Sequence, residues 1–364
     1  MEYLAVAVIV ALIGASPLFI ARLIGAGIAV SVIFTLALWW IFYANAVGYA
    51  GPMFGPVLFT TTMITMLSVA IAGFIASENG RKLSLASAVP PALGVLLLIV
   101  IVIYGSEMFN ADKYRVLIGE MEERVWTQDI QPKDPQHFRP VSYENAIYVA
   151  RKAVGELGTV GSQFEIREDS LTLQVIGGEL WYVIPLDFAG FRAWNDAGAV
   201  IGYIKGHAED PNRQPEVKQL SREKQFVYTP GAWLGNDLIR HLRQSGNFRV
   251  NLAGTHLEID ENDAPWWVTS VLTPTIGQSG DKVTGVLITN PVTGERTFAP
   301  IGQIPAWIDR VIPRSLSKNY IDHWGEYVHG WWNSVWRKRD LVEAESPSLV
   351  FSGEKKPVYV TGVT

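Results

Sequence analysis

The sequence contains no cysteine. This absence excludes disulfides, thiol nucleophiles, zinc–thiolate sites and iron–sulfur clusters, and it leaves the redox compartment open. The 364 residues carry a formal net charge of −5. That balance gives no support to nucleic-acid binding, which usually needs a clustered basic face. We expect no nucleic-acid partner and no cofactor.

Charge is scarce in the first third of the chain. Between Glu2 and Glu78 the only charged residue is Arg22, and between Lys82 and Glu107 there is none. Helices of about 20 apolar residues cross a bilayer, so residues 1–106 are predicted to form a membrane anchor in contact with lipid. We favour four spans over three, at about 3–21, 23–46, 56–77 and 83–104.

The connection at Arg22 leaves two interpretations open. Pro17 and Arg22 either mark a tight turn between two helices or belong to a re-entrant segment. Arg22, Arg81 and Lys82 occupy the first and third connections, and the second connection is uncharged. Because Lys and Arg are retained on the cytoplasmic side, we predict a multi-pass protein of the cytoplasmic membrane whose N-terminus and C-terminal domain lie outside.

The predicted spans contain no Asp, Glu, Lys or His. Pumps and transporters generally need such intramembrane groups, so an anchor is favoured over a pump. Glycines in this region indicate close helix packing: Gly14, Gly25, Gly27, Gly48, Gly51, Gly55 and Gly73.

The remaining chain predicts an α+β domain outside the membrane. Residues 107–140 are predicted to form a stalk helix, from about Asn110 to Arg124, followed by a proline-rich connector. Two units then alternate a helix with three antiparallel strands, at 141–215 and 226–300. The expected strands are 171–175, 180–184 and 199–204 in the first unit, and 257–259, 266–272 and 283–288 in the second.

The two units share one register. The helix start precedes the first strand by 29 residues in one unit (142 to 171) and by 28 in the other (229 to 257). In both units an aromatic residue, Trp181 or Trp267, lies ten residues after the first strand begins. We therefore interpret the domain as tandem repeats.

Residues 301–364 begin a third unit. A helix from about Asn319 to Trp336 leads to the strand 349–351, and Tyr359 lies ten residues beyond Leu349. The chain stops where the second strand of this unit should end. Since an open sheet edge is normally covered, we expect either a longer natural chain or a partner strand.

A helix followed by a three-stranded meander, with an aromatic residue in the middle strand and Gly-x-Ile/Val in the last, resembles the PepSY-like module. The residues that carry this resemblance are Leu180–Ile184, Ile201–Ile204, Pro265–Leu272 and Gly285–Glu295. The wider pattern is similar to uncharacterised bacterial multi-span membrane proteins with a repeated extracytoplasmic region. The resemblance implies a protein-binding or assembly role, and it carries over no catalytic residues.

Three polar clusters are weighed as sites. His323, Glu326 and His329 lie on the third predicted helix, but residues six apart cannot reach one metal from one helix. Asp260, Glu261 and Asp263 lack the calcium-loop pattern, so a hairpin turn is favoured. His207, Glu209 and Asp210 have no evident pocket for acid–base chemistry. We expect neither a metal nor a catalytic site.

Aromatic residues are the candidates for an interface. A helical face with Arg337-Lys338-Arg339 after it would lie either on lipid headgroups or, as we favour, against a neighbouring repeat or protomer. The candidates are Trp181, Trp194, Trp266, Trp267, Trp324, Tyr327, Trp331, Trp332, Trp336 and Tyr359.

The preferred hypothesis is a non-enzymatic, membrane-anchored scaffold that binds protein or forms a homo-oligomer. One alternative is a subunit of a transporter or membrane enzyme whose site is shared with a partner. A second is a structural protein of a membrane-containing particle.

Overall fold

The computed structural model describes residues 2–46, 48, 54–79, 85–122, 140–158, 161–351 and 357–364. The chain forms two compact units. The helical unit comprises Met1–Asn110, Leu242–Asn251 and Thr273–Asp281, and the sheet unit comprises Ala111–His241, Leu252–Leu272 and Lys282–Thr364.

Four helices of the helical unit are long and apolar enough to cross a membrane. This confirms the expectation of four candidate spans. The helices are α1 Glu2–Ile20, α2 Ile24–Ala44, α3 Phe54–Glu78 and α4 Val89–Gly105. Helix α4 follows a short 3₁₀ turn at Leu85–Ala88 and lies within the fourth candidate span, Leu85–Ile118.

A tight turn joins α1 to α2. Pro17 lies inside α1 without ending it, and Arg22 adopts a left-handed conformation at φ 60°. The N–H of Leu23 donates to the Leu18 carbonyl at 2.9 Å, the six-to-one bond that closes a helix C-terminus. The connection is therefore a tight turn between two helices, and the re-entrant alternative stays a prediction.

Two of the predicted glycines lie at close helix contacts. A Cβ at Gly14 would lie 2.4 Å from Ile64 of α3, and one at Gly27 would lie 2.6 Å from the Phe19 ring. Nothing lies within 4 Å of a Cβ at Gly25, whereas a Cβ at Gly48 would lie 2.7 Å from the guanidinium of Arg243, on the later helix Leu238–Gln244. The packing prediction is wrong for Gly25.

Gly51 lies outside the described residues, as do the side-chain surroundings of Gly55. Arg81, Lys82 and most of the proline-rich connector are likewise outside them.

Two segments of the predicted second repeat belong to the helical unit. The Phe248 ring packs edge-on against Tyr3 at 5.0 Å between centroids. At the other segment, a Cβ on Gly277 would lie 3.1 Å from the Gly105 Cα at the end of α4. The helical unit therefore includes segments beyond residue 106, where the predicted membrane anchor ends.

The first sheet of the sheet unit contains five antiparallel strands. Strands β1 and β2 pair with the same edge of the long strand β3, β4 pairs with its other edge, and β5 follows β4. The strands are β1 Phe164–Ile166, β2 Thr172–Ile176, β3 Glu179–Phe188, β4 Gly202–His207 and β5 Glu216–Gln219.

The second sheet is a four-stranded meander in the order β6-β7-β8-β9. Its strands are β6 Asn251–Ile259, β7 Pro265–Ile276, β8 Ser279–Thr289 and β9 Arg296–Pro300. The three expected meander strands are present in both sheets, and β1, β5 and β9 are additions that the repeat pattern did not predict.

Five shorter helices complete the described chain. They are α5 Glu107–Arg115, α6 Tyr143–Gly155, α7 Phe191–Ala197, α8 Leu238–Gln244 and α9 Arg314–Glu326.

Two helix predictions are wrong in extent. The stalk helix α5 ends at Arg115, and a 3₁₀ turn and Gly119 at φ 99° follow it. The third repeat helix begins earlier than expected and ends at Glu326, and Gly330 at φ 78° separates it from a single π-helical turn at Asn333–Arg337.

The C-terminal strands form a hairpin. Strand β10, Ser348–Phe351, pairs antiparallel with β11, Pro357–Val360, and Leu349 lies opposite Tyr359. Beyond it, Val363 forms an isolated bridge with Ala344.

Replacing Gly14 by Val is expected to destabilise the helical unit by about 1–3 kcal/mol, because the added side chain overlaps Ile64. Thermal unfolding of the full chain in detergent measures the effect. Gly25→Val is the matched control, since its Cβ meets open space. Equal losses in both variants would contradict the close approach of α1 to α3.

Candidate functional site

A cavity of about 220 Å³ opens in the sheet unit. It is far larger than the ~15 Å³ that one water molecule needs. Its walls come from the start of α6, the start of β2, the residues before and at the start of α9, and the β10–β11 hairpin. The lining residues are Ser142, Tyr143, Glu144, Leu171, Thr172, Leu173, Tyr182, Arg310, Arg314, Pro347, Ser348, Leu349 and Tyr359.

The Arg310 guanidinium is the principal charge at this cavity. Its Nη1 donates to the Leu171 carbonyl at 3.0 Å. Its Nε and Nη2 are buried and have no hydrogen-bond partner. Burial lowers the pKa of Arg310, against the opposing effect of Tyr359 and Glu258, but arginine stays protonated in proteins. A buried positive charge with two unused donors therefore lies in the wall of the cavity.

The buried Glu258 carboxyl fixes the backbone that carries Arg310. It accepts the N–H of Asp309 at 2.8 Å and the N–H of Arg310 at 3.0 Å. Its side chain is fully buried on β6. Burial raises the pKa of Glu258 to about 7.

His256, two residues before Glu258 on the same strand, shares a proton with it. Its Nδ1 lies 2.6 Å from the Gly254 carbonyl oxygen, which can only accept, so Nδ1 carries a hydrogen. Its Nε2 lies 2.7 Å from Glu258 Oε1. Because burial lowers the pKa of His256 and raises that of Glu258, we assign the shared proton to the carboxyl. The pair is then neutral, as burial favours.

Asp309 and Gln174 connect this backbone to β2. Asp309 Oδ2 accepts the N–H of Val175 at 3.1 Å. The Gln174 amide donates to the Ile259 carbonyl at 2.7 Å and accepts the Ile259 N–H at 2.9 Å, as a paired strand residue would. Burial is the largest cause that raises the pKa of Asp309, to about 7.

The other polar groups of the cavity differ in whether they already have a hydrogen-bond partner. The Thr172 hydroxyl is buried without a partner. The hydroxyls of Tyr143 and Tyr359 donate to the carbonyls of Glu168 and Ile312, both at 2.9 Å. The carboxylate among the lining residues, Glu144, belongs to a solvent-exposed residue. Unpartnered donors and positive charge thus lie in the wall of the cavity.

A second feature of the sheet unit is an exposed segment, Trp332–Arg339, which we call the aromatic–basic turn. The Trp332 and Trp336 rings stack at 4.7 Å and expose 50% and 72% of their surface. The Asn333 amide donates to the Arg339 carbonyl at 2.8 Å, which closes the turn. Arg337, Lys338 and Arg339 are exposed beside the rings.

The ten aromatic interface candidates are not equivalent. Trp181, Trp267 and Tyr327 are buried within this chain. The Trp181 ring lies under Lys205 and Arg213, and the Trp267 indole donates to the Tyr228 carbonyl at 2.8 Å. Five others are half-buried, namely Trp194, Trp266, Trp324, Trp331 and Tyr359, which leaves Trp332 and Trp336 as the exposed members.

The polar clusters considered from the sequence serve as turns and packing groups. His207 Nδ1 accepts the N–H groups of Glu209 and Asp210. Asp260 accepts two N–H groups in the β6–β7 turn. His323 stacks on Tyr327 at 5.6 Å, whereas His329 contacts Asp340 at 2.9 Å. Within the described ranges, no group of three or more His, Asp or Glu side chains is placed to hold a metal ion.

Sequence reasoning missed Arg310, Glu258 and His256. The last two were hidden by strand alternation: Leu257 and Ile259 mark the expected buried face, which places His256 and Glu258 on the face where solvent is expected. Arg310 carried no local signal, because its partners lie 52 and 139 residues away in the chain.

Compared with known proteins, the chain matches no family model, no curated protein and no solved structure.

Replacing Asp309 by Asn is expected to flatten the dependence of stability on pH. A carboxyl whose pKa rises from 3.8 to about 7 on folding binds more protons in the folded state, so its stabilising contribution is present at low pH and is lost as pH rises toward 7. One proton contributes a slope of at most about 1.4 kcal/mol per pH unit.

The asparagine keeps an acceptor for the Val175 N–H but does not titrate. Melting temperatures of the full chain in detergent at pH 5 to 8 should therefore fall less steeply for Asp309→Asn than for the original chain. Glu261→Gln, at an exposed position, is the control. Parallel pH profiles for all three proteins would exclude the buried carboxyl as the cause.

Proposed function

We propose that this chain is a non-enzymatic, membrane-anchored scaffold. The four helices hold it in a lipid bilayer, and the sheet unit assembles with protein, in the first place with further copies of the same chain. The observation that carries the proposal is the aromatic–basic turn, whose Trp332 and Trp336 rings are exposed and stacked.

The composition of this turn is that of a protein-binding surface. Trp and Arg are the residues most enriched where truncation weakens a complex strongly. Proteins that act alone seldom expose a large aromatic surface, and an exposed one usually marks a binding site. Trp331 packs edge-on against Trp332 at 4.8 Å and extends the cluster inward.

The turn is rigid enough to bind without much loss of entropy. Asn333 accepts the N–H of Arg339 through its side-chain oxygen, in addition to the amide bond described above. The N–H of Lys338 donates to the Asn333 carbonyl at 2.7 Å. A surface that is already ordered loses less conformational freedom on binding.

Charge favours a second copy as the occupant. Three consecutive cations follow Trp336, although the chain as a whole carries a net charge of −5. The surface of another copy therefore offers an excess of carboxylates, which is complementary to this turn. A contact between two different surfaces of the same chain produces a ring or a filament, as suits a scaffold.

The proposed location is the cytoplasmic membrane, with the sheet unit outside. The support is the distribution of cations: Arg22 lies in the α1–α2 turn, and cations are retained inside. The resemblance to PepSY-like modules, which implies a protein-binding role, agrees with the proposal and stays a prediction.

Removing both exposed rings, by Trp332→Ala with Trp336→Ala, is expected to weaken self-association by at least about tenfold, or 1.4 kcal/mol. Light scattering and native mass measurement of the full chain in gentle detergent report the oligomeric state. The matched control is Trp233→Ala, because Trp233 is also exposed, at 46%, but has no cluster of cations beside it.

A monomeric full chain at about 10 μM, a concentration at which a stable scaffold contact would be occupied, overturns the proposal. The same holds for an oligomer that the double variant leaves unchanged. A chain that stays monomeric but binds anionic vesicles through these rings would favour a lipid-surface role for the turn.

A further inference from the structure

We propose that the Arg310 cavity binds a carboxylate attached to a small apolar group. The ligand carboxylate would accept hydrogen bonds from Arg310 Nε and Nη2. This site is separate from the aromatic–basic turn and does not depend on the scaffold proposal.

The pattern of free atoms selects the ligand. In a guanidinium, Nε–H and Nη2–H project from one edge and form a parallel pair of donors. A carboxylate accepts such a pair with its two oxygens. In Arg310 these two donors are the ones without a partner, while Nη1 is occupied by the Leu171 carbonyl.

The surroundings favour a ligand over a structural explanation. A structural buried arginine is normally paired, because an isolated buried charge is costly. The nearest buried carboxyl, Glu258, uses its oxygens for the N–H groups of Asp309 and Arg310 and for His256. Sharing a proton with His256 leaves it neutral, so it does not compensate the Arg310 charge.

Further lining groups fit the rest of the ligand. The buried Thr172 hydroxyl, also without a partner, offers one more donor. Leu171, Leu173 and Leu349 provide apolar walls. Arg314, whose Nε donates to the Pro347 carbonyl, adds positive charge to the lining. A ligand with an apolar group and one carboxylate would contact the leucine walls with the former and the arginine and threonine donors with the latter.

The start of α6 adds a smaller contribution. Ser142 caps this 13-residue helix by accepting the N–H of Asn145, and Ser142, Tyr143 and Glu144 line the cavity. Helix N-termini favour anions. The exposed Glu144 carboxylate opposes this effect at the α6 side of the cavity and disfavours ligands with several negative charges, phosphate among them.

The test is a thermal titration of the full chain in detergent, in chloride-free buffer at pH 7 and constant ionic strength. The probes are isobutyrate, inorganic phosphate and isobutyramide. Isobutyrate is expected to raise the melting temperature saturably, with a dissociation constant of about 1 mM. Isobutyramide, which has the same shape without the charge, should have no such effect.

Arg310→Met should abolish the response to isobutyrate. It should also be at least as stable as the original chain without ligand, since it removes an uncompensated buried charge. Arg310→Lys keeps the charge without the paired donors and should weaken binding by roughly tenfold. Arg192→Met, at an exposed position of α7, is the matched control and should respond normally.

Several outcomes overturn the proposal. One is no saturable response up to about 100 mM, roughly a hundred times the expected constant. Others are an undiminished response in Arg310→Met and equal affinity for phosphate. Should Arg310→Met fail to fold, Arg310→Lys and Thr172→Val take its place, and undiminished isobutyrate binding in both counts against the site.

The same assay distinguishes the sources of the carboxylate. A short apolar peptide with a free C-terminus is compared with its C-terminally amidated form and with isobutyrate. Tighter binding of the free peptide than of isobutyrate assigns the site to peptide C-termini, and the reverse order assigns it to small organic acids. Both results support the carboxylate, whereas equal binding of the amidated peptide does not.

Discussion

The buried carboxyl of Glu258 is the group on which the arrangement of the sheet unit depends. Its bonds to the N–H groups of Asp309 and Arg310 fix the chain just before α9. With that backbone fixed, the Asp309 side chain reaches β2 and the Arg310 side chain reaches the cavity. A carboxyl that holds the proton it shares with His256 is neutral and can do this at low cost in the interior, and Arg310 is left without a carboxylate partner.

Asp187 contrasts with Arg310 in how its buried charged group is hydrogen-bonded. Asp187 is also fully buried, yet it accepts the Thr229 hydroxyl at 2.6 Å, the Gly231 N–H at 2.7 Å and the N–H of Phe188 at 2.9 Å. That carboxyl is satisfied and ties strand β3 to the start of the second repeat. Buried groups in native proteins are normally satisfied in this way, so two free donors on one buried guanidinium indicate a functional constraint.

The sequence predicted what depends on local composition and periodicity, and failed where distant segments meet. Scarcity of charge located the four apolar helices, and alternation located the meander strands. Aromatic residues in strands look alike whether they face a core or a partner, so Trp181 and Trp267 were misassigned. The helix expected to reach Trp336 ends ten residues earlier, with Gly330 beyond its end at φ 78°. The Arg310 site joins segments that no local pattern connects, and so it could not be predicted.

The turn at Arg22 has a consequence for how the chain is made. Three residues separate the end of α1 from the start of α2, too few for either helix to settle in a bilayer while the other remains in water. In the proposed membrane location, the two helices therefore enter together as a helical hairpin, with the Arg22 cation at its tip.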